Sequence, residues 1–256
     1  MLSNALLATL KSPLTKWSSA KLSDFSFGRR LSYALVEGRL GFAFAPEAEA
    51  PSFVPEPGMY VRKLFLQAWK GPVETSIALA AMAALTHLWI DEGGNVEMPA
   101  PPITEILNIK KDDKVILIGH IKGVISELLE AGAKVKLYED DPKLRCEAKD
   151  LGVEAYPGSY ILLEEEGDVI IATGSSLLDP RSVYAFEKLP ARAKMLVGPS
   201  ATVHPYFAKL VGATHVGGTY VPKENQDKVL TLIKSGYGYR KLVKGGLLKK
   251  WYAKAS

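Results

Sequence analysis

Four short runs, at 114–119, 134–139, 168–173 and 194–198, are separated by stretches with helical spacing. The first and third are continuous apolar stretches bounded by polar residues, as strands buried on both faces require. Strands that alternate with helices build a parallel sheet with right-handed crossovers. Helices fit 121–131, 142–151 and 224–235, and 214–218 reads as a short last strand. The fold class is therefore α/β: a Rossmann-like C-terminal domain with a mostly parallel sheet, plus a smaller α+β domain before it.

The boundary falls near residue 100. Asp91-Glu92-Gly93-Gly94-Asn95 reads as a turn, and Pro99, Pro101 and Pro102 stiffen the segment after it. This divides the chain into 1–100 and 101–256. In the first part, 1–16 reads as a helix, and 31–37 and 39–45 as two strands around Gly38. A proline-rich loop comes next, then helices over 60–69 and 73–90, with Pro72 at the start of the second.

Composition narrows the class further. Cys146 is the single cysteine, so no disulfide can form within the chain and no multi-thiolate zinc site can be built. A reducing, cytoplasmic setting is the expectation. The apolar stretches at 5–10 and 77–90 are too short to span a bilayer, and no membrane association is expected. The net charge of +4 resides entirely in 104–256. From Lys234 onward there are seven basic side chains and no acidic one. This tail reads as a solvated C-terminal helix end, with an anionic ligand or nucleic acid as the competing reading. No helix-turn-helix, RNP or zinc-finger pattern occurs, so no specific nucleic-acid partner is expected.

Ligands of open parallel sheets bind outside the carboxyl ends of the strands. The residues to read are therefore Gly119-His120, Glu139, Thr173-Gly174-Ser175-Ser176 and Gly198-Pro199-Ser200. Gly119 and Gly123 flank a strand-to-helix turn whose amides suit an anion, although the full GxGxxG fingerprint is absent. Glu139 lies twenty residues after Gly119, the spacing at which an acid bonds ribose hydroxyls in Rossmann proteins. Thr173, Ser175 and Ser176 supply three hydroxyls beside a glycine, and Gly198-Pro199-Ser200 repeats the theme. A bulky residue at Gly174 is expected to block ligand binding and leave the fold intact. His120 and His204 fall in strand-end loops where they could meet in one cleft, and His120 is the candidate acid or base. His87 and His215 read as structural. HExxH, CxxC, GxSxG and P-loop patterns are all absent.

The C-terminal residues resemble the DUF364 family, described as a heavy-metal chelation domain. The resemblance runs over 115–243. It rests on the run from Val115 to His120, Tyr138-Glu139 followed by Pro142, the loop from Thr173 to Leu177, Gly198-Pro199-Ser200 and Gly217-Gly218. The N-terminal hairpin at 36–43 resembles the enolase N-terminal-like companion domain of that family. The resemblance implies a site at the junction of the two domains and a role in holding a heavy metal or metal complex. His120, Glu139, Asp179 and His204 are then the candidate metal ligands. The chain departs from the family pattern at Asp179-Pro180-Arg181, where Asn-Gly-Thr is usual, and at Ala201 and His204-Pro205.

Three functions fit these residues. In the first, the protein binds a heavy metal or a metal complex at the junction, with the hairpin at Glu37, Gly38 and Arg39 closing over it. In the second, it is a small-molecule enzyme with a nucleotide-like or anionic cofactor. The third is a non-catalytic binding module. The partner in each case is a small molecule or metal, and the sequence leaves a homodimer open.

Overall fold

The computed structural model describes residues 2–47, 50–164 and 166–256. The N-terminal part contributes α1 (Leu2–Lys11), β1 (Leu22–Ser26), β2 (Leu31–Val36), β3 (Arg39–Phe44), α2 (Val61–Gln67) and α3 (Pro72–Asp91). Next come α4 (Ile103–Ile106), β4 (Lys114–Ile118), α5 (Lys122–Glu130), β5 (Lys134–Tyr138), α6 (Pro142–Lys149) and β6 (Glu154–Tyr156). The chain ends with β7 (Val169–Thr173), α7 (Pro180–Lys188), β8 (Ala193–Val197), α8 (Pro205–Leu210), β9 (His215–Tyr220), α9 (Gln226–Lys234), α10 (Tyr239–Lys244) and β10 (Lys249–Lys254).

Strands β1 to β3 form an antiparallel sheet, and a seven-stranded sheet has the order β10-β9-β8-β7-β4-β5-β6. Strands β4 to β9 pair in parallel, and β10 is antiparallel to β9. From β4 the chain winds outward through β5 and β6, then returns to start again at β7 on the other side. The winding direction thus reverses between β4 and β7, as in the doubly wound dinucleotide-binding folds.

The apolar runs divide by strict alternation, because successive strand side chains point to opposite faces. Val115 and Leu117 join the core beneath α5 with Val124, Ile125 and Leu128. Ile116 and Ile118 join the opposite core, which also holds Ile77 and Met82 of α3 and Phe186 of α7. Each fully buried aliphatic side chain contributes roughly 1.5–3 kcal/mol, so α3 is a large part of this second core. By length and composition α3 resembles a membrane span, but 83% of its apolar window is buried within the protein. Its Ala80–Ala84 segment touches the backbone of β3 at Gly41, where a Cβ would meet Ala80 O at 2.1 Å. The other face of the small sheet, with Leu31, Tyr33, Leu40 and Phe42, packs on Val229, Ile233 and Leu242 of α9 and α10.

Strand β3 lies at the edge of its sheet, so its outward backbone groups need partners. Side chains provide them. Leu40 N donates to Gln226 Oε1 (3.0 Å) and Phe44 N to Ser200 Oγ (2.7 Å). Ser76 Oγ donates to Phe44 O (2.6 Å). His87, fully buried on α3, places Nδ1 2.7 Å from Leu40 O and Nε2 2.8 Å from Thr219 O. The small sheet is thereby joined to the large one through named side chains rather than through a ladder.

The basic C-terminus differs from its expected form. It is not a solvated helix end but the short α10 followed by the edge strand β10, in which Trp251 is fully buried. Alternation explains this: Trp251 and Ala253 face inward while Lys250 and Lys254 face solvent. The outer edge of β10 is covered by an antiparallel bridge between Glu97 and Tyr252.

Candidate functional site at the sheet reversal

Gly119 follows β4 with φ +87, a left-handed conformation that favours glycine. A Cβ there would stand 2.5 Å from Thr173 Oγ1. Thr173 Oγ1 in turn shares a hydrogen bond with Ser175 Oγ at 2.7 Å. On the other side, Glu139 draws the loops after β4 and β5 together. Its Oε2 accepts from His120 N (2.9 Å) and its Oε1 from Asp141 N (3.0 Å). Arg145 Nη1 donates to the carbonyls of Glu139 (2.7 Å) and Asp140 (2.8 Å). Gly119, His120, Glu139, Thr173 and Ser175 are thus collected around the end of β4.

The first turn of α5 follows His120 after one residue. Its N-cap, Ile121, gives no side-chain cap, and the space beside Gly123 is open. The first amides of a helix have no partners within it, so these donors are available to a ligand. His120 Nε2 is buried with no hydrogen-bond partner.

Other residues of the expected set are engaged elsewhere. Ser176 Oγ donates to Thr173 O (2.6 Å) and closes its own turn. Ser200, 2% exposed, receives the Phe44 amide and belongs to the joint with the small sheet. Gly198 has φ +102 and starts the Pro199–Ala201 turn that carries it. Gly174 presses on that turn. A Cβ would lie 2.1 Å from Ala201 N and 2.3 Å from Ser200 C. The expectation that bulk at Gly174 spares the fold is therefore overturned, since the obstacle is backbone.

Of the donors proposed for a metal, Asp179 is engaged and His204 is engaged through Nδ1, while His204 Nε2, like His120 Nε2, is buried without a hydrogen-bond partner. Asp179 caps α7, accepting from Ser182 Oγ (2.8 Å), and pairs with Arg181 Nε (3.1 Å). Burial raises its pKa, but the bonds from Arg181 and Ser182 outweigh this and hold it below the usual range. His204 caps α8, its Nδ1 accepting from Tyr206 N (3.1 Å). Its ring lies 4.4 Å from that of Trp89 on α3, and burial pulls its pKa down to about 4. Among the described residues no group of three or more His, Cys, Asp or Glu side chains is placed to hold a metal ion. The donor set does not fit a bare heavy-metal ion.

The hairpin residues sit at a different place on the same sheet edge. A cavity of about 380 Å³ beyond β9 is lined by Glu37, Gly38, Arg39, Asp91, Lys223 and Gln226, among others. Its floor is a closed network. Arg39 Nε donates to Asp91 Oδ2 (2.8 Å), Arg39 Nη2 to Val221 O (2.6 Å), and Tyr220 OH to Asp91 Oδ1 (2.6 Å). Sequence reasoning named the hairpin but missed Asp91 and Lys223, which come from distant segments with no shared motif.

The sequence profile described as "DUF364: Putative heavy-metal chelation" matches residues 102–252. The chain belongs to the DUF364 family. A DUF364-family structure of unknown function from Pyrococcus horikoshii superposes with TM-score 0.76 at 22% identity, covering 99% of this chain and 100% of that one. Another, from Desulfitobacterium hafniense, gives TM-score 0.70 at 18% identity, covering 98% and 97%. An uncharacterized protein of Methanocaldococcus jannaschii is 26% identical over 84% of this chain and 83% of its own length. The two structures share the architecture over nearly the full chain, so in these DUF364 proteins the small sheet and the large one occur together. The description of the family points to heavy metals, and the donor geometry above constrains how this member could meet one.

Proposed function

We propose that the protein binds a small polar organic ligand in the crevice between the loops after β4 and β7, and that a heavy metal reaches it already held in an organic chelate. One observation carries the reading: the winding direction of the sheet reverses between β4 and β7, where Gly119 and Thr173 meet. A reversal opens a crevice because the flanking helices leave on opposite faces. The Thr173–Ser175 hydroxyl pair after β7 and the uncapped amides of α5 after β4 are the donors that support this reading. A chelate offers its oxygens and nitrogens to such donors and needs no ligand atoms from the protein. This reconciles a family associated with heavy metals and a site whose carboxylates are oriented by backbone amides and Arg181 rather than gathered around one point.

Native mass spectrometry of protein purified without a metal-affinity tag tests this. The expected result is an added mass larger than a metal ion, lost on Thr173→Val. An added mass equal to a bare metal ion would overturn the chelate reading.

A nucleotide-like ligand is the second reading, favoured by the position of Glu139 at the end of β5, beside the glycine turn. The Glu139 carboxylate already accepts two backbone amides, which leaves lone pairs for hydroxyl groups but holds its orientation fixed.

A further inference from the structure

Arg181 ties the loop after β7 to the loop after β5. It leaves the first turn of α7, after the β7 loop, and its Nε donates to Asp179 Oδ1 (3.1 Å). Its Nη2 reaches Asp140 Oδ2 (3.2 Å), in the loop after β5. Strand β4 lies between β7 and β5 in the sheet, so this side chain ties together loops of two strands that are not neighbours. In strand order the end of β4, with Gly119 and His120, falls between those two loops.

The two contacts differ in kind. Asp179 is fixed by capping α7 and receiving Ser182 Oγ, and it orients the guanidinium. Asp140 is 63% exposed on its side chain and Arg181 47%, so this bond is held against water at little net gain. A guanidinium fork matches a carboxylate or phosphate in two parallel bonds. An anionic group can therefore take the place of the Asp140 carboxylate without unpairing Asp179, provided Asp140 Oδ2 turns away from the guanidinium. The second contact of Asp140, to Gly158 N (3.1 Å), gives the displaced carboxylate a partner.

We propose that Arg181 is the specificity-determining residue of the crevice, that it selects ligands carrying a carboxylate or phosphate group, and that Asp140 occupies its place as an internal competitor until such a ligand arrives. The inference rests on the crevice reading above and names the ligand class within it. A metal chelate that fits would be a polycarboxylate complex.

Calorimetric titration of the full chain with citrate and with inorganic phosphate tests it. At least one of the two binds the unaltered protein at millimolar concentration. Arg181→Gln weakens that binding at least tenfold, Arg181→Lys restores part of it, and Asp140→Asn tightens it several-fold by removing the competitor. Binding that is unaffected by Arg181→Gln and Asp140→Asn would overturn the proposal, as would failure of both anions to bind the protein and its Asp140→Asn variant. Thr173→Val separates the two claims. If it abolishes binding while Arg181→Gln does not, the crevice stands and the role of Arg181 falls. If Arg181→Gln abolishes binding and Thr173→Val has no effect, the anion site stands and the crevice reading falls.

Discussion

Arg39 of the hairpin and Asp91 at the end of α3 form the most enclosed ion pair among the described residues, with side chains 4% and 7% exposed and Nε 2.8 Å from Oδ2. Fifty-two residues of sequence separate them. The pair fixes the hairpin to α3, and through Val221 and Gln226 to the loop after β9. Breaking a buried pair leaves an uncompensated charge, at a cost of about 3–5 kcal/mol. Asp91→Ala should lower stability by that amount in chemical denaturation. Replacing both partners together, Arg39→Met with Asp91→Leu, should cost less than Asp91→Ala alone. Equal or greater loss in the double variant would show that the network, not the stranded charge, sets the cost.

Gly174 and Gly123 make opposite predictions. Alanine at Gly174 collides with the backbone of the Ser200–Ala201 turn, so the joint with the small sheet must shift. A loss of about 2 kcal/mol or more is expected, typical of overpacking against backbone. Alanine at Gly123 meets open space in the first turn of α5 and should be neutral or stabilising by up to about 1 kcal/mol. Thermal unfolding of the two variants checks both signs, and a destabilised Gly123→Ala would contradict the geometry of this turn.

Acid should destabilise the protein through its buried imidazoles. Burial lowers the His204 pKa from 6.5 to about 4. Above 6.5 the ring is neutral in both states and stability does not change. Below it, the unfolded chain takes up a proton that the folded state refuses. Stability then falls as pH drops, and the loss levels off below about 4, at roughly 3–3.5 kcal/mol at most for this one residue. Asparagine can still cap α8 but does not titrate. His204→Asn should therefore make the urea midpoint fall less steeply between pH 6.5 and 4. His87, lowered to about 4 chiefly by burial, should maintain a residual slope. An unchanged pH dependence in His204→Asn would show that this ring is protonated in the folded state.

The parallel sheet was legible because its strands are short apolar runs punctuated by glycine and proline, and β4, β5, β7 and β8 lie where those runs stand. Strand β10 was hidden by its lysines. Charge suggested a solvated tail, whereas the alternation around Trp251 and Ala253 was the signal to use. Strand β1 was missed because a bulge between Leu22 and Asp24 breaks its alternation. The glycine and hydroxyl residues after β4, β7 and β8 do fall at strand ends and in turns, which are local features. Their partners were not readable. Nothing local announces that Ser200 would receive the Phe44 amide, that His204 would pack against Trp89, or that Arg181 would reach Asp140. The first two contacts depend on how α3 and the small sheet close over the loop after β8, and the third on how two loops of the large sheet meet.

Ligand entry at the reversal between β4 and β7 can be followed by backbone amide chemical-shift mapping during titration with zinc citrate, against zinc ion alone. Shifts are expected at residues 119–123, 139–141, 173–176 and 181 with the chelate, and none at these residues with the ion alone. Shifts confined to Arg39, Asp91, Lys223 and Gln226 would instead place the ligand in the cavity beyond β9 and rule out entry at the reversal.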